Sequence, residues 1–432
     1  MSTNLRNPAD RRDYPARWTM RRGKELFREI DERSADGSEE LLSVSHITGI
    51  TPRSQKNVTM FQSESLVGYK ICRPGDIAAN TMWTWQGAIG VSDYFGVISP
   101  SYNVYRQRQD TYNPRYLDFL LREPKLVDVY YSLSTGIRPS RRRLYPDEFL
   151  TIRFPVPPRA EQDKIVRFLD EKANAIDEVI ATRQKQIDEL HELRKTIINR
   201  AVTRGISRVE REGAYPHAPS DARRLRTAAL PNGWKMARLG SLGEFLKGVG
   251  ISRADLQEDG LPAILYGDIY TKYNIVACDI KHHISPTVAE HAVRIHDGDI
   301  LMTGSGETKE DIGKTVAFFG SEAYIGGDVI LFRQATENSK YLSYVLNGEE
   351  AKAFRYRVAK GDIIVHIYAS VLKSLAIPLP PADEQREIAA YLDEKCATID
   401  KAIENRKAAI EELVALKARI VADAVTGRME VE

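Results

Sequence analysis

The sequence predicts a mixed α+β protein with two tandem globular domains, each followed by a long helix, and with the two helices paired as a coiled coil. Three observations support this prediction. A segment of 50 residues occurs twice, at 154–203 and at 377–426, and about 22 of its aligned positions are identical. After its Pro-Pro pair, each copy continues to Gly205 or Gly427 without another proline or glycine. The residues before each copy mix short apolar runs with turn-forming residues, as compact domains do.

The repeated segment predicts one long helix in each half. The copies lie 223 residues apart, which is far too long for a solenoid repeat, so the chain is two versions of one plan. Proline suits the first turn of a helix, and the glutamate that follows, Glu161 or Glu384, suits its positive N-terminal end. A helix that continues to residue 204 would span roughly 65 Å at about 1.5 Å per residue. That length is typical of a spacer or a coiled coil.

An apolar seam runs along both predicted helices, with its members spaced by fours and threes. Basic residues fill the two skipped positions of each copy: Arg183 and Arg194, then Arg406 and Lys417. A charged residue in such a seam costs stability but can specify register and partner, so we interpret the helices as partners. Packing of each helix on its own domain is the alternative. The seam residues are Leu169, Ala173, Ile176, Ile180, Ile187, Leu190, Ile197 and Ala201, and then Leu392, Cys396, Ile399, Ile403, Ile410, Leu413, Ile420 and Ala424.

The order of composition and periodicity along the chain predicts six segments. The two globular segments share short motifs: GDIAAN at 75 matches GDILMT at 298, and Gly136 matches Gly361. Between these motifs the residues diverge, as they would in two sites that read different targets or in loops that drift freely. The segments are a flexible start (1–17), a first domain (18–153), a first long helix (154–204), a basic linker (205–231), a second domain (232–376) and a second long helix (377–428).

Composition excludes several classes of protein. The hydrophobic fraction of 42% and the charged fraction of 28% are ordinary for a soluble chain, and no run of eighteen apolar residues predicts a membrane span. The N-terminal residues lack the apolar core of a signal peptide, so we expect a cytoplasmic protein. The three cysteines are far apart and show no CxxC spacing, so we expect neither a disulfide framework nor a zinc site.

The net charge of +2 is small, but basic residues cluster in residues 1–24, 138–143 and 204–238. Such clusters on an otherwise balanced chain favour a polyanion on one surface. Solvated loops that keep the protein soluble are the alternative for any one cluster.

The sequence contains no convincing catalytic constellation and predicts no cofactor or metal. Residues 113–116 lack the second proline of an amino-methyltransferase tetrad and instead predict a helix start, matched by NSKY in the second half. Gly313-Lys314-Thr315 lacks the glycine that a phosphate-binding loop needs five residues earlier. Pro146-Asp147-Glu148 has no nuclease Glu-x-Lys after it. Four irregularly spaced histidines are predicted to be surface or core residues: His282, His283, His291 and His296.

The doubled segment, with PPxxEQ followed by Ile, an aromatic residue, Leu-Asp and Ile-Asp, resembles the specificity (S) subunit of type I restriction-modification systems. The resemblance extends from about Trp18 to the end of the second helix. It implies two target-recognition domains that each read one half of a bipartite, asymmetric double-stranded DNA site, held apart by two antiparallel helices. It also implies two methyltransferase (M) subunits docked on the helices, restriction and motor (R) subunits bound through them, and no catalysis in this chain. Half-sites about one helical turn apart, roughly 34 Å, would suit readers at a fixed separation.

Candidate site residues follow from the basic clusters, the divergent loops and the resemblance. Phosphate contacts would come from Arg and Lys, with Trp83 and Trp85 as groove or stacking contacts unless they are core residues. The first domain contributes Arg53, Lys56, Arg138, Arg141, Arg142 and Arg143, and the second contributes Lys272, Lys309, Lys314 and Lys360. The predicted partner-docking face of the helices consists of Glu161, Gln162, Asp170 and Glu171, with Glu384, Gln385, Asp393 and Glu394 in the second copy.

Two other functions stay open at the level of sequence. A DNA-modifying enzyme with an unrecognised catalytic site would bind S-adenosylmethionine without partners. A coiled-coil adaptor with no DNA role would show no salt-dependent affinity for duplex DNA.

Overall fold

The computed structural model describes residues 14–55, 65–136, 142–206, 230–361 and 364–431. It divides into two compact units, one of residues 1–183 with 408–432 and the other of residues 184–407. Each unit therefore contains one globular domain together with parts of both long helices.

The first unit is built on small antiparallel sheets. Its largest sheet has four strands in the order β2-β9-β6-β7, and three two-stranded sheets pair β1 with β10, β3 with β4 and β5 with β8. Its elements in chain order are β1 (Thr19–Arg22), α1 (Gly23–Leu26), β2 (Phe27–Ile30), β3 (Leu42–Ser45), β4 (Gly49–Pro52), β5 (Lys70–Cys72), β6 (Ile77–Ala79), β7 (Ile89–Val91), β8 (Gly96–Ile98), β9 (Asn103–Gln107), α2 (Pro114–Leu121), α3 (Pro124–Leu133), α4 (Pro146–Thr151), β10 (Arg153–Val156) and α5 (Arg159–Arg204).

The second unit has larger sheets on a related plan. Two five-stranded sheets have the orders β12-β22-β18-β20-β15 and β13-β16-β14-β21-β17, and β11 pairs with β24 and β19 with β23. Its elements are β11 (Lys235–Arg238), α6 (Leu239–Leu242), β12 (Glu244–Lys247), β13 (Leu256–Gln257), β14 (Leu261–Ile264), α7 (Tyr266–Thr271), β15 (Val276–Ala277), β16 (His282–Ile284), α8 (Pro286–Ala289), β17 (Val293–His296), β18 (Ile300–Thr303), β19 (Ser305–Gly306), β20 (Thr315–Phe318), β21 (Glu322–Ile325), β22 (Val329–Arg333), α9 (Ser339–Leu346), α10 (Glu349–Val358), β23 (Val365–His366), α11 (Ala369–Leu372), β24 (Ala376–Leu379) and α12 (Ala382–Val425).

In both units the first strand of the domain pairs with the strand that precedes the long helix. Thr19 lies opposite Val156 in β1 and β10, and Lys235 lies opposite Leu379 in β11 and β24. This pairing corrects the predicted starts of the helices, because residues 154–156 and 377–379 are strand and the helices begin at Arg159 and Ala382. The Pro-Pro pairs separate the strands from the helices, as expected for residues that cannot continue a ladder of hydrogen bonds.

The repeated Gly-Asp-Ile motif forms the same turn in both units. Gly75 and Gly298 have φ of 86° and 84°, a region that favours glycine because it lacks a Cβ atom. The following aspartates are buried, and each carboxylate accepts a backbone N–H and pairs with an arginine of the neighbouring strand. Asp76 contacts Arg106 at 2.6 Å, and Asp299 contacts Arg333 at 2.7 Å. The motif therefore joins a turn to the sheet.

The predicted helix starts in the two Asn-x-x-Tyr segments are confirmed. The side chain of Asn113 accepts hydrogen bonds from the N–H groups of residues 115 and 116 at the start of α2. Asn338 accepts one from Tyr341 at the start of α9. Asparagine is a good N-cap because its side-chain oxygen satisfies donors that have no helical partner.

The glutamine of each PPxxEQ motif ties the long helix to its own domain. The Gln162 side chain accepts from the N–H of Asn113 at 2.8 Å and donates to the carbonyls of Thr111 and Pro157. Gln385 likewise accepts from the N–H of Asn338 at 2.9 Å and donates to Pro380. Both glutamines are fully buried, so their polar atoms need these partners.

The two long helices pair within each unit, as the sequence predicted. Every seam residue is buried or half-buried, while its neighbours on the opposite face are exposed. In the second unit Arg406 contacts Gln186 at 3.1 Å and Arg194 lies 3.7 Å from Asp400. Residue numbers rise along one helix as they fall along the other, so the helices are antiparallel.

The basic interruptions of the seam form equivalent ion pairs in the two units. Lys417 contacts Asp177 at 2.6 Å in the first unit. Arg194 and Asp400, the residues 223 positions away from Lys417 and Asp177, face each other in the second. These pairs form only in one alignment of the helices, which is how a polar residue in an apolar seam specifies register.

Each domain also binds the far end of the helix from the other copy. The Tyr116 hydroxyl donates to the carbonyl of Val425 at 2.8 Å, and the Tyr341 hydroxyl lies 3.4 Å from the equivalent carbonyl of Val202. Ala424 and Val425 are part of the apolar core of the first unit. Both long helices thus contribute to the core of the first unit, and the end of α5 contacts the domain of the second. Within the described residues, none of the helices has the length and apolar character needed to cross a membrane.

Replacing Gln385 with alanine is expected to destabilise the protein by about 1–3 kcal/mol, because the buried N–H of Asn338 loses its acceptor. Chemical denaturation followed by circular dichroism measures this. Glu394→Ala, in the same helix but on its exposed face, is the control and should change the free energy of unfolding by less than about 0.5 kcal/mol. Equal effects of the two substitutions would contradict the structural role of Gln385.

Replacing Arg194 and Lys417 together with leucine is expected to raise the melting temperature while producing a mixture of oligomeric states. The leucines extend the apolar seam but remove the ion pairs that favour one alignment. Thermal unfolding and light scattering measure the two effects. Lys185→Leu on the exposed face is the control, and a double variant with one oligomeric state identical to the parent would contradict the register role.

Candidate nucleic-acid interface

Two chain segments meet on the surface of the first unit. One joins β6 to β7 across residues 80–88, and the other follows α3. The second segment is closed as a hairpin by reciprocal backbone hydrogen bonds between Thr135 and Arg143, at 3.0 and 2.8 Å. It is held against the first by the N–H of Leu144, which donates to the carbonyl of Thr81 at 3.2 Å. We call residues 80–88, 135–136 and 142–143 the first loop surface.

The second unit has the same arrangement with different residues. Residues 304–313 follow β18, and a hairpin after α10 is closed by hydrogen bonds between Lys360 and His366, at 3.0 and 2.7 Å. The short strands β19 and β23 join the two segments, and the Ser305 hydroxyl lies 2.9 Å from Nδ1 of His366. We call residues 304–313, 360–361 and 364–366 the second loop surface.

An exposed row of aromatic rings borders the first loop surface. Trp83 is 42% exposed and stacks on Trp85 with ring centres 6.2 Å apart and planes 14° apart. Trp85 also contacts Tyr131 at 5.9 Å, and its indole N–H donates to the carbonyl of Met82 at 2.7 Å. The tryptophans therefore lie at the surface and not in the core, which was the alternative from the sequence. Exposed, ordered aromatic rings are suited to stacking on bases.

The arginines after Gly136 have two different roles. Arg142 lies over the Tyr131 ring at 4.3 Å and donates to the carbonyls of Tyr131 and Ser134, so it caps the C-terminal end of α3. Arg143 is exposed beside the hairpin closure. Arg53 lies in a short turn after β4 and is half-buried. Lys56, Arg138 and Arg141 lie outside the described residues.

The lysines predicted for the second domain separate into two groups. Lys360 and Lys309 belong to the second loop surface, where Lys360 is exposed and Lys309 half-buried. Lys272 instead pairs with Asp268 at 2.9 Å, and its amine lies 2.9 Å from Nε2 of His282. Lys314 donates to the carbonyls of Tyr270 and Tyr273, at 3.1 and 2.7 Å. Burial lowers the pKa of the Lys314 amine.

The sequence motifs that did not fit a catalytic or nucleotide site lie within ordinary secondary structure or contact neighbouring side chains. Thr315, of the Gly-Lys-Thr sequence, is a fully buried residue of strand β20, and Pro146 begins the short helix α4. His282 contacts Asp268 at 3.1 Å. Across the ranges that the structure describes, no three His, Cys, Asp or Glu residues form a group that could hold a metal ion.

The residues predicted to dock partner subunits are mostly occupied within the chain. The prediction is wrong for Gln162 and Gln385, which are buried because they bind backbone groups of their own domains. Glu161 and Glu384 accept hydrogen bonds from the indoles of Trp18 and Trp234, at 3.0 and 2.9 Å. Asp170 lies 3.3 Å from Arg115, and Asp393 2.7 Å from Lys340.

Glu171 and Glu394 remain on the outer face of the helices, with side chains 75% and 74% exposed. Each is followed by a lysine that it contacts, at 3.4 Å for Lys172 and 3.7 Å for Lys395. The lysines lie over aromatic rings of the same helix, Phe168 at 5.8 Å and Tyr391 at 5.5 Å. The two helices thus present the same exposed acidic, basic and aromatic set.

Sequence reasoning missed several residues of these surfaces. Tyr131 and Tyr356 are 46% and 48% exposed beside their loop surfaces. They are separated by 225 residues, the same offset that relates Gly136 to Gly361, so the internal alignment contained the signal. The sequence places Trp18 and Trp234 at the starts of the two domains. Their contacts with Glu161 and Glu384 could not be predicted, because these partners are more than 140 positions away in the chain.

Comparisons with known proteins agree with this architecture. Residues 231–412 match the family model of the type I restriction modification DNA specificity domain. The specificity subunit of the type I restriction enzyme MjaVIII from Methanocaldococcus jannaschii is 21% identical over 78% of this chain and 75% of its own length. The putative MjaX specificity subunit of the same organism is 23% identical over 76% and 71%. A putative specificity subunit from Haemophilus influenzae, S.HindORF215P, is 31% identical over 27% of this chain and 28% of its own length.

Solved structures show the same fold at low sequence identity. A chain from work on complex assembly and conformational transition of the type I R-M system has a TM-score of 0.69 at 19% identity, covering 96% of this chain and 99% of its own length. The HsdS subunit from Thermoanaerobacter tengcongensis has a TM-score of 0.52 at 19% identity, covering 96% and 98%. The resemblance inferred from the repeated helix is confirmed: residues 231–412 match the specificity domain, and the chain is similar over most of its length to specificity subunits of type I restriction-modification systems.

Proposed function

We propose that this chain is the noncatalytic subunit that recognises a bipartite, asymmetric double-stranded DNA site for a type I methyltransferase and restriction complex. The observation that carries the proposal is the pair of loop surfaces, which occupy equivalent positions on a common frame but present different side chains. Because the two domains share a fold, each would bind DNA in the same orientation. The different side chains would read different bases, which makes the site asymmetric.

The chemistry of the two surfaces differs in a way that suits two half-sites. Trp83 and Trp85 of the first correspond, at the offset of 223, to Gly306 and Thr308 of the second. The first surface would therefore stack or wedge aromatic rings against DNA, while the second would rely on polar contacts from exposed residues such as Thr308. Arg143 and Lys360, exposed beside the two hairpin closures, would contact phosphates.

The outer faces of the two helices would dock two methyltransferase subunits. The Glu171–Lys172 pair and its counterpart Glu394–Lys395 are exposed in both units, and neither pair is needed to fill a core. Two equal surfaces on one chain would accept two copies of one partner, as pseudo-symmetry allows. Restriction and motor subunits would join through the methyltransferases. In this arrangement the chain itself needs no cofactor.

The phosphate-contact role of the exposed cations predicts a change in the salt dependence of DNA binding. Arg143→Ala and Lys360→Ala should each reduce the slope of log affinity against log salt by about one, because each removes one phosphate contact. Fluorescence anisotropy of a labelled target duplex, with the chain in its methyltransferase complex, measures the slope. Lys185→Ala, an equal loss of charge on an exposed helix face, is the control and should leave the slope unchanged.

Division of the site into halves predicts the outcome of a domain exchange. Replacing residues 18–152 with the corresponding domain of another specificity subunit should change one half of the methylated motif and leave the other half intact. Coexpression with the methyltransferase subunit of the same genome, followed by sequencing of methylated bases, measures this. A change in both halves or in neither would contradict the proposal, and methylation by the chain without a methyltransferase would favour an unrecognised catalytic site.

A further inference from the structure

A polar cleft of about 530 Å³ lies in the second unit, between the C-terminal half of α5 and the globular domain. Two of its lining residues, Glu310 and Asp311, also belong to the second loop surface. Its lining includes Arg194 of α5, Lys314, which directly precedes β20, and Arg355 of α10. Its volume is within the range of small-molecule sites.

Arg355 is an unusual residue at the inner end of the cleft. It is only 2% exposed, and no carboxylate among the described residues lies within ion-pair distance of its guanidinium. Its Nε donates to the carbonyl of Ile312 at 2.9 Å, and a terminal nitrogen donates to the carbonyl of Leu346 at the end of α9. Helix-end carbonyls offset part of a positive charge but do not neutralise it. Burial lowers the pKa of Arg355 to about 10.

Of the other two cations, Arg194 forms its ion pair with Asp400, which does not line the cleft, whereas Lys314 has no carboxylate within ion-pair distance among the described residues. Lys314 is bound only by two backbone carbonyls. Nε of Arg194 is buried without a hydrogen-bond partner, and its nearest carboxylate oxygen, on Asp400, is 3.7 Å away. Burial is the main cause of the lowered pKa of Lys314; the charge of Arg194 lowers it further, and the nearby Asp311 carboxylate opposes this shift.

The acidic residues of the cleft stand at its rim. Glu310, Asp311 and Glu349 line it, but all three are exposed to solvent. Glu349 lies 3.8 Å from Lys352, which is also at the rim. Water screens exposed carboxylates, so they do not cancel the charge of the buried cations.

The first unit shows that the shared fold does not require these cations. At the offset of 225, Arg355 corresponds to Tyr130, and at 223, Lys314 corresponds to Val91, and both of these residues are buried. Room for Arg355 comes from Gly313, where a Cβ atom would lie 2.4 Å from Cδ of the arginine. The second unit therefore holds buried charge where the same frame elsewhere holds apolar side chains.

We propose that this cleft is a binding site for a free oxyanion of the phosphate class, held by Arg355, Lys314 and Arg194. Arginine and lysine are the side chains that bind phosphate most effectively, through charge-assisted hydrogen bonds. The deep position of Arg355 favours a small ion over the backbone of a duplex. One site is expected per chain, because the first unit has Tyr130 and Val91 at the equivalent positions.

Phosphorus NMR titration of the full chain with inorganic phosphate tests the proposal, with potassium chloride at equal ionic strength as reference. Saturable binding of one phosphate per chain and a rise in melting temperature above that in chloride are expected. Lys314→Met should weaken phosphate binding about tenfold or more, the effect of losing one charge-assisted contact. Lys272→Met, which removes a partly exposed lysine of the same unit outside the cleft, should not.

Arg355→Lys is an independent variant in case Lys314→Met unfolds, and it should also weaken phosphate binding. Phosphate binding that is absent, that occurs at two sites per chain or that persists in both cleft variants would overturn the proposal. The chain in its methyltransferase complex provides a second readout with a short target duplex. Duplex affinity should be the same for Lys314→Met and the parent, and an equal loss of duplex and phosphate affinity would assign the cleft to the DNA backbone and overturn the free-ion site.

Discussion

The antiparallel seam between the two long helices is the interaction on which the rest of the structure depends. Each globular domain is anchored to the start of one helix and contacts the end of the other, and in the first unit both helices contribute residues to the apolar core. Val425 lies in the core of the first unit, and its equivalent Val202 contacts Tyr341 in the second. The ion pairs Asp177–Lys417 and Asp400–Arg194 favour a single alignment of the helices. A shift of one helical turn would separate these pairs and withdraw the helix ends from both domains.

The PPxxEQ motif acts on this seam from the domain side. Its prolines end a strand, and Glu161 accepts a hydrogen bond from the indole of Trp18. Gln162 accepts a hydrogen bond from the backbone N–H of Asn113, at the start of α2. The same three contacts recur at Trp234, Glu384 and Gln385. Because buried polar groups must be paired, this arrangement tolerates little change. The motif therefore connects the long helix to its own domain, in which its glutamine is buried.

The loops of each domain lie outside this motif, and their exposed side chains do not need such buried polar partners. In the first unit they carry stacked tryptophans, and in the second a serine–histidine contact and exposed lysine. Both segments are closed by backbone hydrogen bonds, at Thr135–Arg143 and Lys360–His366, which do not depend on the identity of the side chains. A recognition protein benefits from such a division, because the frame stays constant while the chemistry of the reading surface changes.

Features that depend on local pattern and on internal repetition could be predicted from the sequence alone. The doubled segment, the uninterrupted helices, the apolar seam and the helix starts at Asn113 and Asn338 are all readable from the order of residues, because periodicity and capping act over a few positions. The same repetition showed which loops diverge and where the chain resembles specificity subunits.

The burial and the partners of individual polar side chains could be read only from the folded structure. Gln162 and Glu171 lie in the same helix and look equally suited to docking in the sequence, yet one is buried by Asn113 and the other remains in solvent. Lys314 and Lys360 were equal candidates for DNA contact, but carbonyls of Tyr270 and Tyr273 bind the first while the second stays exposed. The reason is physical: burial and pairing arise from residues distant along the chain, and no local pattern records which of them will meet.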